Sequence, residues 1–171
     1  MLRRLAPVLL AVIALANGET WTGQVVGIQD GDTITILKDR RQVRVRLDGV
    51  DCPELGQPFG RTARERVSAL AFGRMVVVRE SSGRAGRDRY GRVLGQVILP
   101  EGRNLNRLLV EEGLAWWYRR YAPRDAGLAG LEERAREARR GLWADEDPQP
   151  PWLWRSQRRK RVVEEAAGRL E

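Results

Sequence analysis

The sequence predicts an α+β domain, most of it a five-stranded Greek-key barrel flanked by about three helices. Three observations predict it: short β-branched runs broken by turn signals in the first third, two further such runs after a helical interruption, and helical spacing of apolar residues in the second half. At 171 residues the chain suffices for one well-buried domain with appendages.

From Trp21 to Asp48 the text WTGQVVGIQDGDTITILKDRRQVRVRLD reads as three antiparallel strands, with turns at Asp30-Gly31 and near Lys38-Asp39. In the third, Val43, Val45 and Leu47 alternate with Arg44, Arg46 and Asp48, so a period of two points Arg46 away from the core. Residues 60–73, GRTARERVSALAFG, set Ala63, Val67, Leu70 and Ala71 at helical spacing before Gly73, a helix crossing back over the sheet. MVVVRE and YGRVLGQVIL supply two more strands, joined by SSGRAGRDR, whose glycines and charges read as a mobile loop. NLNRLLVEEG has an Asn start and a Gly stop around a short helix. A longer helix fits residues 126–141, AGLAGLEERAREARRG. Five strands with a helix after the third suit a barrel of the oligonucleotide-binding (OB) type.

The predicted domain runs over 19–146. Ahead of it, residues 1–16 place two arginines before the apolar run Leu5–Ala16, the layout of a secretory signal peptide. The run is shorter than the roughly 20 residues a bilayer needs, so an uncleaved membrane anchor is the lesser alternative to a secreted or periplasmic protein. Behind it, 147–171 forms a Pro/Trp/Arg-rich extension: prolines, then Trp152 and Trp154, then a basic cluster from Arg155 to Arg161. It reads as a partly ordered segment whose tryptophans pack on the body; base stacking with phosphate contact is the alternative.

The formal net charge of +8 suits a protein that meets a polyanion. A single cysteine, Cys52, permits no internal disulfide; it is a small apolar residue, a free thiol or a partner for another molecule. Histidine is absent, which excludes Ser-His-Asp and Cys-His nucleophiles and histidine-bound zinc. Acid, base and metal chemistry must come from carboxylates, dense in DGD (30–32) and in LDGVDCPE (47–54), where Asp48, Asp51 and Glu54 crowd together. Such oxygen donors suit calcium or magnesium. Asp-Gly alone is a hairpin signal, and DxxE alone can be a helix start. Acidic turn, strand ending in Arg46, acidic segment and distant RDRYGR together say more than any one of them.

IQDGDTITI, RVRLDGVDCPE, RDRYGRVLG and LNRLLVEEGLAWWY, followed by LEERAREARRGLW, resemble in order and spacing the staphylococcal nuclease (thermonuclease) family over about residues 20–145. The resemblance implies an OB-fold barrel and a calcium-dependent phosphodiesterase cleaving DNA and RNA with low sequence specificity; magnesium or another divalent cation is the alternative metal. By motif, Asp32 and Asp51 would be metal carboxylates, with the backbone carbonyl of Cys52 a further ligand. Glu54 would be the general base, and Arg46 and Arg92 would hold the reacting phosphate. Asp30 matches an outer acid behind the metal site, Tyr90 a tyrosine near the nucleotide, and Arg89 and Tyr121 are further substrate-binding candidates.

The chain departs from the family where substrate is handled. LGQPFG after Glu54 is shorter than the lysine-rich loop of the best-known member, and a base-stacking tyrosine falls at Arg119. Trp116, Trp117, Tyr118 or Tyr121 could stack instead. The family's usual threonine is Cys52 here, a tolerable change where only the carbonyl binds. Asp48 receives no role. The expectation is an exported nuclease acting as a monomer on single-stranded or frayed DNA and RNA, without an obligate protein partner; the alternative is an OB-fold module that binds nucleic acid without cutting it.

Overall fold

Alternation shapes the first three strands, β1 (Thr20–Ile28), β2 (Thr33–Lys38) and β3 (Arg41–Leu47), which pair antiparallel in succession. Ile34 lies opposite Val45 and Ile36 opposite Val43, so β-branched side chains meet across the ladder. The β2–β3 turn takes Asp39 and Arg40 at φ 48° and 64°, two successive left-handed residues that match the twist of a tight hairpin. The computed structural model describes residues 18–81 and 87–167. The leader expected at 1–16 and the middle of the expected loop SSGRAGRDR lie outside them.

A two-residue strand, β4 (Val50–Asp51), precedes α1 (Gly60–Ala71). β5 (Met75–Glu80) and β6 (Val93–Ile98) complete a closed barrel in the order β1-β2-β3-β6-β5, the five-stranded OB-type architecture expected. The β3–β6 pairing is parallel, so the chain needs a long crossover, and the segment containing α1 and β5 supplies it. The interior is filled by Val25, Ile34, Ile36, Val45, Leu47, Val78, Val93 and Val97, all buried, with Ala63 and Val67 of α1 packed against them.

α2 (Leu105–Glu111) is capped by the Asn104 side chain, which accepts from the Arg107 amide. Asn106 is buried at its start: its Nδ2 donates to the Asp48 and Gly95 carbonyls, and its Oδ1 accepts from the Val97 amide. Asp48 finds its partner nearby, its Oδ2 accepting from Ser81 Oγ at 2.5 Å. It ties the end of β3 to the end of β5.

β7 (Trp116–Trp117) pairs with β4 and puts Trp116 opposite Asp51. α3 (Ala126–Glu137) starts on the Asp125 cap and ends earlier than its apolar stripe suggests, because Arg139 and Gly141 adopt φ 49° and 54° and turn the chain into a 3-10 turn at Gly141–Ala144. Buried Glu132 on α3 accepts from the Trp117 amide and pairs with Arg119 and Arg136.

The C-terminal segment differs most from expectation. A fourth helix, α4 (Pro151–Ala167), forms where a partly ordered extension was predicted. Proline at its first position costs no hydrogen bond there. Trp152 does pack on the body, stacking on Tyr118 at 5.4 Å and edge-on to Trp116 at 5.6 Å. Trp116, Trp143, Leu142 and Ala135 form a second small core beneath it.

Candidate active site

Two glycines let the acidic turns approach each other. A Cβ on Gly31 would lie 2.7 Å from the Cys52 Cβ and 2.8 Å from the Ala63 Cβ, so the DGD turn abuts the VDCPE segment only because residue 31 has no side chain. A Cβ on Gly60 would lie 1.8 Å from the Glu54 carbonyl oxygen, so the start of α1 seats the backbone of Glu54. Between these contacts, Asp32 at the head of β2 and Asp51 on β4 come together around Arg46 of β3.

Arg46 Nη1 lies 2.5 Å from Asp32 Oδ2, and its Nη2 donates to Asp51 Oδ1 at 2.7 Å. The Nη1 contact is an ion pair without hydrogen-bond geometry, which leaves that buried nitrogen without an acceptor among the described residues. The Cys52 amide donates to Asp32 Oδ2 at 2.6 Å, and the Asp32 amide donates to Asp30 Oδ1 at 3.0 Å, so Asp30 acts on Asp32 through the backbone turn. Burial pushes the Asp32 carboxyl up to about 8 against the pull of the Arg46 guanidinium. Burial works to lower Arg46, but Asp32 and Asp51 outweigh it and hold the guanidinium above its ordinary value, firmly charged. Burial also pushes the Cys52 thiol well up, so its sulfur is an inert, apolar part of the core.

Glu54 is reached from an unexpected direction. Its Oε1 accepts from Arg155 Nη1 of α4 at 2.7 Å, while the same guanidinium donates to Asp51 Oδ2 at 2.7 Å and Oδ1 at 3.2 Å. The Gln57 side chain braces the segment by accepting from the Glu54 amide at 3.2 Å and donating to the Gln149 carbonyl just ahead of α4.

Arg92 stands on the other side of Asp32. Its Nη1 donates to Thr33 Oγ1 at 3.1 Å, and that hydroxyl lies 3.4 Å from Asp32 Oδ1. Asp88 orients it: Oδ2 accepts from Arg92 Nε at 2.7 Å, and Oδ1 accepts from the Tyr90 and Arg92 amides, each at 2.9 Å. Burial raises the Asp88 carboxyl, but these amides and the guanidinium prevail and hold it below the usual range. Exposed Tyr90 carries Arg89 at 4.8 Å and Arg92 at 5.4 Å from its ring centre, and Arg89 donates to its hydroxyl.

The structure thus gathers Asp30, Asp32, Arg46, Asp51 and Cys52 in one cluster, joins Glu54 to it through Arg155, and links Arg92, Arg89 and Tyr90 to it through Thr33. Tyr121 sits apart with its ring against Tyr118 at 4.7 Å. Trp116 and Tyr118 are engaged by Trp152, and Trp117 is tied through its indole N–H to the Ala122 carbonyl. The residues sequence reading missed are Asp88, Thr33, Gln57 and Arg155. Asp88 left a trace, an acid inside RDRYGR; Arg155 was one cation in a run of cations.

Among the described residues no three His, Cys, Asp or Glu side chains form a ready cation cage. The donor set still fits one hard cation, since Asp32 and Asp51 already share a single guanidinium and carboxylate oxygens are the donors such ions take.

The fold and site define a small closed OB-type barrel protein with carboxylates and arginines clustered at the ends of β2, β3 and β4. Residues 44–145 match the family described as staphylococcal nuclease homologue. The chain is similar to an uncharacterized endonuclease of Escherichia coli, 45% identical over 133 residues, 78% of this chain and 84% of that protein. It is likewise similar to a micrococcal nuclease of Shigella flexneri, 42% identical over 163 residues, 90% of this chain and 91% of that protein. A staphylococcal-like nuclease of Arabidopsis thaliana is 36% identical over 119 residues, 70% of this chain and 35% of that longer protein. The chain belongs to the staphylococcal nuclease family.

Proposed function

We propose that the protein is an exported, calcium-dependent nuclease that hydrolyses phosphodiester bonds of DNA and RNA with low sequence specificity. Membership of the family and the nuclease and endonuclease names of its relatives support hydrolysis of nucleic acid. One observation carries the reading furthest: Asp32 and Asp51 close on a single cation position while Glu54 sits one guanidinium away.

Asp32, Asp51 and the Cys52 carbonyl would hold calcium, with magnesium or another divalent cation as substitute. Bound there, the ion offsets the charge of the diester and makes water more acidic. Glu54 accepts the proton of the attacking water as the new P–O bond forms and the bond to the departing sugar oxygen breaks. Arg46 and Arg92 hold the charge that grows on the equatorial oxygens; the planar guanidinium reaches two oxygens and stays charged. Arg92 is aimed in advance by Asp88 and Thr33, and Arg46 keeps a donor without an acceptor among the described residues.

Tyr90, flanked by Arg89 and Arg92, offers a face to a nucleotide at a single-stranded or frayed stretch, and Tyr121 is a further stacking surface. Export rests on the leader-like run Leu5–Ala16, and a monomer without an obligate partner completes the proposal. Among the described residues no helix is long and apolar enough to cross a membrane.

A single-stranded DNA oligonucleotide and an RNA of the same sequence should both be cut in calcium, and cutting should stop with a chelator. Binding without cutting under both conditions would leave only the binding-module reading. Asp88 gives a sharper prediction. Asp88→Ala removes what orients Arg92, so kcat should fall about 10- to 100-fold while the thermal midpoint stays close to wild type; Asp88→Glu should recover part of the rate.

A further inference from the structure

The C-terminal helix places a cation where the proposed mechanism needs one. Asp51 is buried with its carboxylate covered by guanidinium groups: Oδ1 takes Arg46 and Arg155, and Oδ2 takes Arg155. Glu54 Oε1 takes Arg155 as well. A metal ion that ligates Asp51 therefore competes with these partners for the carboxylate oxygens.

The two arginines are not equally held. Arg46 lies on a barrel strand, its side chain only 12% exposed, clamped between Asp32 and Asp51. Arg155 is 34% exposed and rides on α4, whose contacts with the body gather at its start: buried Pro151, Trp152 on Tyr118 and Trp116, and the Gln57 bond to Gln149. From Gln157 to Arg161 every residue is exposed. An arginine keeps its proton in proteins, so Arg155 leaves only by moving.

Charge points the same way. The carboxyl groups of Asp32, Asp51 and Glu54 face the two guanidiniums of Arg46 and Arg155. Exchanging Arg155 for a dication leaves one guanidinium beside the ion, whereas adding the dication beside both arginines crowds three cations into a site where Coulomb energies are weakly screened. Glu54 Oε1 is also released from Arg155 by that exchange, which opens the oxygen to a water.

We propose that Arg155 is a resident counter-cation that competes with calcium for Asp51 and Glu54, so that α4 sets the calcium concentration at which the site becomes active. The inference rests on the calcium reading above. Calcium and Arg155 docking are then linked, each weakening the other by one factor.

Calcium binding to the full chain, measured by titration calorimetry without nucleic acid, tests it. Arg155→Gln should bind calcium about 10-fold more tightly than wild type, within the usual range for coupled sites, and Arg155→Lys should fall between them. Trp152→Ala, which loosens α4 without touching a carboxylate, should tighten binding in the same direction. In the wild type, the Arg155 side-chain NMR resonance should shift in step with calcium occupancy. Equal or weaker binding by both Arg155→Gln and Trp152→Ala, with wild type still binding calcium, overturns the competition and leaves the nuclease reading standing. No calcium binding by any of the proteins overturns both.

Discussion

Glu54→Gln is expected to lower the single-turnover rate of DNA cleavage by about 10²- to 10⁴-fold, the usual worth of a positioned general base. Glutamine has the shape of glutamate and can still accept from Arg155, so the contact of Glu54 with α4 survives in neutral form. Its backbone seat, made by Gly60 and Gln57, is untouched. The loss should therefore appear in the chemical step, with calcium affinity within a few-fold of wild type and an unchanged circular dichroism spectrum. A rate within a factor of three of wild type under saturating calcium would remove Glu54 as the base.

The second large effect is expected at Arg46, and it should be seen first in stability. Arg46→Gln leaves Asp32 and Asp51 facing each other almost wholly out of solvent, their side chains 8% and 1% exposed. Breaking a buried ion pair by removing one partner costs about 3–5 kcal/mol, and Arg155 can offset only the Asp51 side of it. In calcium-free buffer the denaturation midpoint of Arg46→Gln should drop accordingly, and saturating calcium should restore much of the difference, because a bound dication replaces the lost charge and stabilises the folded state by mass action. Cleavage should fall by about 10²- to 10³-fold even with calcium present, the cost of losing one preorganised donor to the developing charge. A midpoint equal to wild type in chelator would show that the carboxylates do not depend on Arg46.

The contrast between Arg46 and Arg155 shows what the sequence can and cannot make visible. Arg46 was legible because Val43, Val45 and Leu47 alternate around it: once the valines face the core, its side chain must leave on the other face, toward the turn that carries Asp32 and the segment that carries Asp51. The barrel was legible for the same reason, since a period of two over β1 to β3 and β-branched runs at β5 and β6 leave few other ways to bury those side chains. Arg155 had no such frame. Its contact with Asp51 spans 104 residues, and α4 carries so many charges that no apolar stripe announces which face docks. Trp152 decides that face by stacking on Tyr118 and packing on the small core that β7, α3 and the 3-10 turn build.

Asp48 and Asp88 divide along a similar line. Asp48 shares a dense acidic motif with Asp51 and Glu54, yet just past the end of β3 it takes Ser81, just past the end of β5, as its partner. Asp88 looks like one more loop charge, yet its carboxylate collects two amides and a guanidinium and sets the direction of Arg92. Position in the fold separates them, and nothing in their residue type does.

Calcium occupancy and the rate of single-stranded DNA cleavage, followed on the same samples through one calcium titration, should rise together to one bound ion per chain. Both should be lost in Asp51→Asn. Cleavage at full rate in chelator, or a rate that rises while Asp51→Asn still binds calcium like wild type, would contradict calcium-dependent hydrolysis at Asp51.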